Sequence, residues 1–140
     1  MLSARHRLHR PADFSAVIRY GARAGRSAVV VHLLPAESAE SAESAEAPLA
    51  GADPSHPAPS RVGFVVPRAV GPAVVRNQVT RRLRALSTDR IDRCDLFPPG
   101  SRTVIRALPT AAVTPYAQLG EQLDSALAAA ARRAGLEVGR

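Results

Sequence analysis

Apolar positions follow a helical period in three stretches of the chain and form short continuous runs in three others. Phe14, Val17 and Ile18 lie on one side of a helix predicted from Pro11, a residue suited to a first turn, to about Tyr20. Asp13 near its start is a favourable charge. Gly21 and Gly25 then break the chain. Residues 28–34 form a β-branched run ending at Pro35, residues 61–66 a second ending at Pro67, and residues 103–108 a third between Pro98-Pro99-Gly100 and Pro109; all three read as strands. Gly71-Pro72 opens a helix to about Ser87. Thr114 reads as a cap, with Pro115 at the first helical position of a helix ending near Gly135. The order helix, strand, strand, helix, strand, helix predicts an α+β or α/β sandwich, one sheet with helices packed beside it.

Residues 36–60 do not fit this pattern. They hold an AES triplet repeat followed by a stretch rich in Pro, Gly and Ser, with no aromatic residue and no arginine. Such a segment buries too little apolar surface to offset its ordering entropy, and it reads as a disordered acidic insertion loop. The remainder of the 140 residues suits a single domain.

Charge then narrows the function. The net charge is +7, and all nineteen basic residues are arginine. Codon bias toward G+C accounts for arginine over lysine, but not for the excess of positive charge. Without the five acids of the insertion, nineteen arginines face seven acids, a balance that points to a polyanionic partner. Cys94 is the only cysteine, which excludes an intrachain disulfide and a cysteine-rich metal site. No run of 18 apolar residues is present and the basic N-terminus has no apolar segment behind it, so neither a membrane span nor a secretory signal is expected, and the cytoplasm is.

The helix at residues 73–86 carries the strongest chemistry. At about 100° per residue, Val75, Val79, Leu83 and Leu86 share a narrow arc, while Asn77, Arg81 and Arg84 fall opposite and Arg76 and Arg82 flank the apolar stripe. Four arginines in nine positions, with no acid among them, repel one another unless a partner neutralises them. Guanidinium groups suit phosphate, which they bind bidentately. A solvated basic face is the plainer reading of the same spacing.

The run from Arg61 to Arg84, RVGFVVPRAVGPAVVRNQVTRRLR, closely resembles the signature of the protein subunit of bacterial ribonuclease P. Leu8, Asp13-Phe14, Val17 and Gly21 match that family's N-terminal spacing. The resemblance implies an α+β, two-layer sandwich with a central mixed sheet, similar to a ribosomal-protein domain, with a left-handed crossover through the arginine helix. It implies a subunit that binds the catalytic RNA and the 5′ leader of precursor tRNA, while the RNA with its Mg²⁺ cleaves the backbone. By that resemblance Arg61, Arg68, Arg76, Asn77, Gln78, Arg81, Arg82 and Arg84 contact the catalytic RNA. Phe14, Ile18, His32 and Phe64 line a leader cleft between the first helix and the sheet. No catalytic residue, bound metal, membrane or protein partner is implied for the chain itself. Which of the two alternating sets, Val62, Phe64 and Val66 or Gly63 and Val65, faces the cleft is open.

The sequence departs from the family pattern in places. Gln78 and Thr80 stand where basic residues are usual, Ile18 and His32 replace aromatics, and the insertion occupies a normally short connection. It is expected to stay outside the RNA footprint. Other functions fit less well. Asp89, Asp92 and Asp95 alternate with Arg90 and Arg93, reading as a salt-bridged turn rather than a nuclease metal site. His6 and His9 lie in a basic arm and are expected to add to phosphate attraction; Cys94 reads as an ordinary thiol. A generic RNA-binding module would use the same arginines without a cleft. A DNA-reading helix is disfavoured because a strand, not a partner helix, precedes the arginine helix.

Overall fold

The computed structural model describes residues 6–8, 10–35, 60–93, 97 and 100–135; nearly all of the acidic insertion, with His9, Cys94 and Asp95, lies outside them. The elements are α1 (Pro11–Tyr20), β1 (Ala22–Gly25), β2 (Val29–Leu34), β3 (Arg61–Val65), α2 (Ala73–Arg93), β4 (Arg102–Ala107) and α3 (Tyr116–Arg133). Short 3₁₀ turns at Arg68–Val70 and Pro109–Ala112 precede α2 and α3. The four strands form one mixed sheet in the order β1-β2-β4-β3, antiparallel except for the parallel β3–β4 pair. Parallel neighbours cannot be joined by a tight hairpin, and α2 makes that connection. The fold is α+β.

Strand register divides the sheet into two faces. Val29, Val31 and Leu33 of β2 share one with Ile105 and Ala107 of β4 and Val62 of β3. Val79, Leu83 and Leu86 of α2 and Leu119, Leu123 and Leu127 of α3 close over this face, all essentially removed from solvent. Each such side chain contributes about 1.5–3 kcal/mol. On the other face Leu8, Val17, Leu34 and Val104 make a smaller cluster beneath α1. Arg102 Nη1 donates to Asp13 Oδ1 at 3.1 Å and ties the first turn of α1 to β4. Sheet and α2/α3 form the two-layer body, and α1 crosses part of the opposite face.

Three elements differ from the sequence expectation. β1 is an additional strand, the four residues between Gly21 and the turn at Arg26. Two alanines, a glycine and the charged Arg23 carry no hydrophobic signal, and pairing with β2 decides their conformation. α2 runs past Ser87 to Arg93, because Ser87 is buried and Ile91 extends the apolar contact. Thr114 is not the N-cap of α3: Pro115 holds that position without a side-chain cap, and Thr114 Oγ1 donates to the Thr110 carbonyl at 2.7 Å.

Candidate RNA-binding surfaces

The N-terminal segment runs along the outer edge of β3. Leu8 N–H donates to the Val62 carbonyl at 2.9 Å, and His6 Nδ1 donates to the Ser60 carbonyl at 2.9 Å. His6 is therefore pinned to the fold rather than part of a loose basic arm.

Beyond β3 the chain turns at Gly71, whose φ of 154° is unfavourable for other residues. A Cβ there would also meet Val75 at 3.1 Å. Arg76 is half-buried and its Nε donates to the Gly71 carbonyl at 3.1 Å, so this arginine clasps the turn that starts α2. Thr80 Oγ1 donates to the Arg76 carbonyl at 2.8 Å, turning that side chain onto its own helix. Asn77, Gln78, Arg81 and Arg84 are exposed, as is Arg68 on the preceding turn, and Arg82 is half-buried at the flank. Arg68, Arg81, Arg82 and Arg84 have no carboxylate partner among the described residues.

Arg90 behaves differently, because its position on the helix wheel falls within the buried arc. Its Nε and Nη2 donate to the two carboxylate oxygens of Asp124 at 2.7 and 3.0 Å, and Nη1 donates to Asp89 Oδ2 at 3.1 Å. This arginine docks α2 on α3 and is withdrawn from any outward strip. Asp89 is in an ion pair, as expected; the side chain of Asp92 and all of Asp95 lie outside the described residues.

The α1 face of the sheet carries a second constellation. In β-register, Arg23, His32, Val104 and Gly63 lie in one row across all four strands. Val30, Arg106 and Val65 form the next row. Phe14 packs over Gly63 beside Val65, and a Cβ on Gly63 would collide with the Phe14 ring. Ile18, one turn further along α1, is 44% exposed. Phe14, Ile18 and His32 thus share one side of the sheet, with Arg23 and Arg106 exposed around His32.

Two expected members are placed elsewhere. Phe64 does not face this side: it packs with Val62 and Val66 against the α2/α3 core, because its strand parity is opposite to that of Gly63 and Val65. Arg61 shares the parity of Gly63, so it stands on the α1 face, paired in register with Arg102 and at the far end of β3 from Arg68. It does not extend the α2 strip.

His32 is only 7% exposed, with Nδ1 cut off from solvent and without a partner among the described residues. Its ring is packed into the floor and is not a free stacking platform. Burial, reinforced by the charges of Arg23 and Arg106, holds its pKa below 6.5. A bare acceptor nitrogen is tolerated in such a site better than an unpaired N–H, which favours the neutral ring with its proton on Nε2.

The geometry therefore offers an outward arginine strip on α2 and, across the sheet, an apolar floor with basic rims. Comparison with known proteins identifies the setting. A family model described as Ribonuclease P matches residues 2–131. The chain is similar to the ribonuclease P protein component of Salinispora tropica, at 50% identity over 131 residues, covering 93% of each chain. It is also similar to that of Streptomyces avermitilis, at 47% identity over 127 residues, covering 91% of this chain and 93% of the relative. The fold is similar to the RNase P protein of Staphylococcus aureus, with a TM-score of 0.65 at 18% identity over 89% of this chain and 94% of that one. It is similar also to that of Thermotoga maritima, with a TM-score of 0.63 at 20% identity over 95% and 99%. The strip and the floor thus sit in a chain that belongs to the ribonuclease P protein family, the protein subunits of bacterial ribonuclease P.

Proposed function

We propose that this chain grips the ribonuclease P RNA through Arg68, Asn77, Gln78, Arg81, Arg82 and Arg84, with Arg76 bracing the strip. In the same reading it guides the single-stranded 5′ leader of precursor tRNA over the α1 face, between Phe14 and Ile18 on one side and the floor around His32 on the other. We read Arg61 with the leader cleft rather than with the strip, a reading supported by its position on the α1 face. The RNA subunit, with the Mg²⁺ it holds, hydrolyses the phosphodiester bond and frees the mature 5′ end; the protein supplies binding. This work belongs in the cytoplasm, where precursor tRNA is made.

The observation that carries this reading is the pair Arg81 and Arg84, exposed and unpaired among the described residues on the side of α2 turned from its core. A bare strip of like charge is stabilised by phosphate. An apolar floor with basic rims suits single-stranded RNA, whose bases contact apolar and aromatic surface while its phosphates pair. The test is reconstitution. At a Mg²⁺ concentration too low for the RNA alone, adding the protein should restore cleavage of precursor tRNA, while the protein alone cuts nothing. Failure to restore cleavage with cognate RNA would overturn the proposal.

A further inference from the structure

The two surfaces lie on opposite faces of the sheet and both reach its β3 edge, where Phe14 covers Gly63, which gives the substrate path a direction. α2 follows β3, at one edge; β1 is the other. At the β1 edge the fold carries further arginines beside Arg23, which borders the leader surface. Arg23 stands exposed on β1, in the row of His32. Arg133 Nη1 donates to the Arg23 carbonyl, which brings the C-terminal end of α3 against this edge strand. Arg132 beside it is exposed, and its side chain has no partner among the described residues. From Ala126 to Arg133 the helix contains no acid. Arg26 is different: it is engaged with Ser125 and the Gly25 carbonyl and closes the turn.

Cations at a helix C-terminus are favoured by the helix dipole, which accounts for Arg132 and Arg133 taken alone. It does not account for Arg133 reaching across to the backbone of β1, the strand whose Arg23 stands in the His32 row on the α1 face. We propose that Arg23, Arg132 and Arg133 form an exit track at the β1 edge for the 5′-distal nucleotides of the leader. This inference rests on the leader-cleft reading above. If the ribozyme is held at the β3 and α2 edge, nucleotides near the scissile bond enter there and more distal ones leave over β1. The sheet is about 14 Å wide over three strand spacings. At about 3.4 Å per stacked nucleotide, roughly four nucleotides span it, so only longer leaders reach the track.

The experiment uses the reconstituted holoenzyme with precursor tRNAs bearing no leader, a short leader confined to the cleft, and a long one, over a salt series. The variants are Arg132→Gln and the double change with Arg133→Gln. Wild-type affinity should rise from no leader to short and again from short to long. Arg132→Gln should remove part of the second rise, and the double variant more, with the salt slope for the long leader lower by about 0.7 for each arginine replaced. Short-leader affinity and RNA-subunit binding should stay at the wild-type level, and Arg133→Lys should keep most of the effect. The Arg132 side chain is exposed and unbonded among the described residues, so its substitution leaves the fold intact. If both variants bind long leaders as tightly as wild type, or weaken short and long leaders equally, the track is not there. Weaker RNA-subunit binding instead would mark this patch as a ribozyme contact and also overturn the inference. If the wild-type holoenzyme itself gains nothing from any leader, the cleft reading fails and the track falls with it.

Discussion

At single residues, close packing decides how the cleft is built. Gly63 is glycine because the Phe14 ring lies where its Cβ would be. Gly63→Ala should displace that ring, destabilise the fold by about 1–3 kcal/mol through overpacking, and reduce the preference for leader-bearing over leaderless substrate. Thermal melts and paired substrate titrations would read both effects. An unchanged preference would mean that Phe14 does not touch the leader. His32 gives a second expectation. Its folded pKa is lowered by burial, then by Arg23 and Arg106, so the unfolded chain takes up the proton first as pH falls through 6.5. Its contribution to stability is full above that pH and declines below it, until the folded imidazole itself titrates. Unfolding measured between about pH 7.5 and 5 should show this decline in the wild type and a flatter profile in His32→Gln.

At the level of elements, α2 is the part most legible in the sequence and also the part most incompletely read. Its apolar arc marks the buried side correctly, and Arg81 and Arg84 stand opposite it. The helix extends to Arg93 because Ser87 and Ile91 are buried, which a cluster of Ser, Thr and Asp in the sequence conceals. Arg90 lies in the arc and is separable from the outward arginines by its angle alone, but its partner Asp124 lies 34 residues away. Asp124→Asn should loosen α2 on α3 by about 1 kcal/mol, a modest effect because that carboxylate is 43% exposed and screened. A melting temperature a few degrees lower, with nearly unchanged affinity for RNA, is the expected result; a larger drop in RNA affinity than in stability would place Arg90 in the interface. β1 is not legible, since Ala22 to Gly25 offer no β-branched or large apolar residue and become a strand only against β2. Phe64 is misplaced by the sequence for a related reason: alternation along a strand separates two faces but does not say which one meets α1.

For the whole molecule, the fold separates like charges onto surfaces that do not compete. The α2 strip and the cleft are divided by the sheet and its core, so damage at one should not propagate to the other. The sequence carries the excess of arginine and the family resemblance, but not this division, because sheet faces are assigned by register between strands distant in the chain. Salt dependence should follow the division, with the slope of RNA-subunit binding lower by about one for each α2 arginine withdrawn from a phosphate. The most direct measurement therefore compares Arg81→Ala, Arg84→Ala and Phe14→Ala in the reconstituted holoenzyme, reading RNA-subunit affinity and leader discrimination on each. The arginine variants should weaken assembly and flatten its salt dependence, while Phe14→Ala should abolish leader discrimination with assembly nearly intact. Equal assembly defects in all three would contradict two separate surfaces.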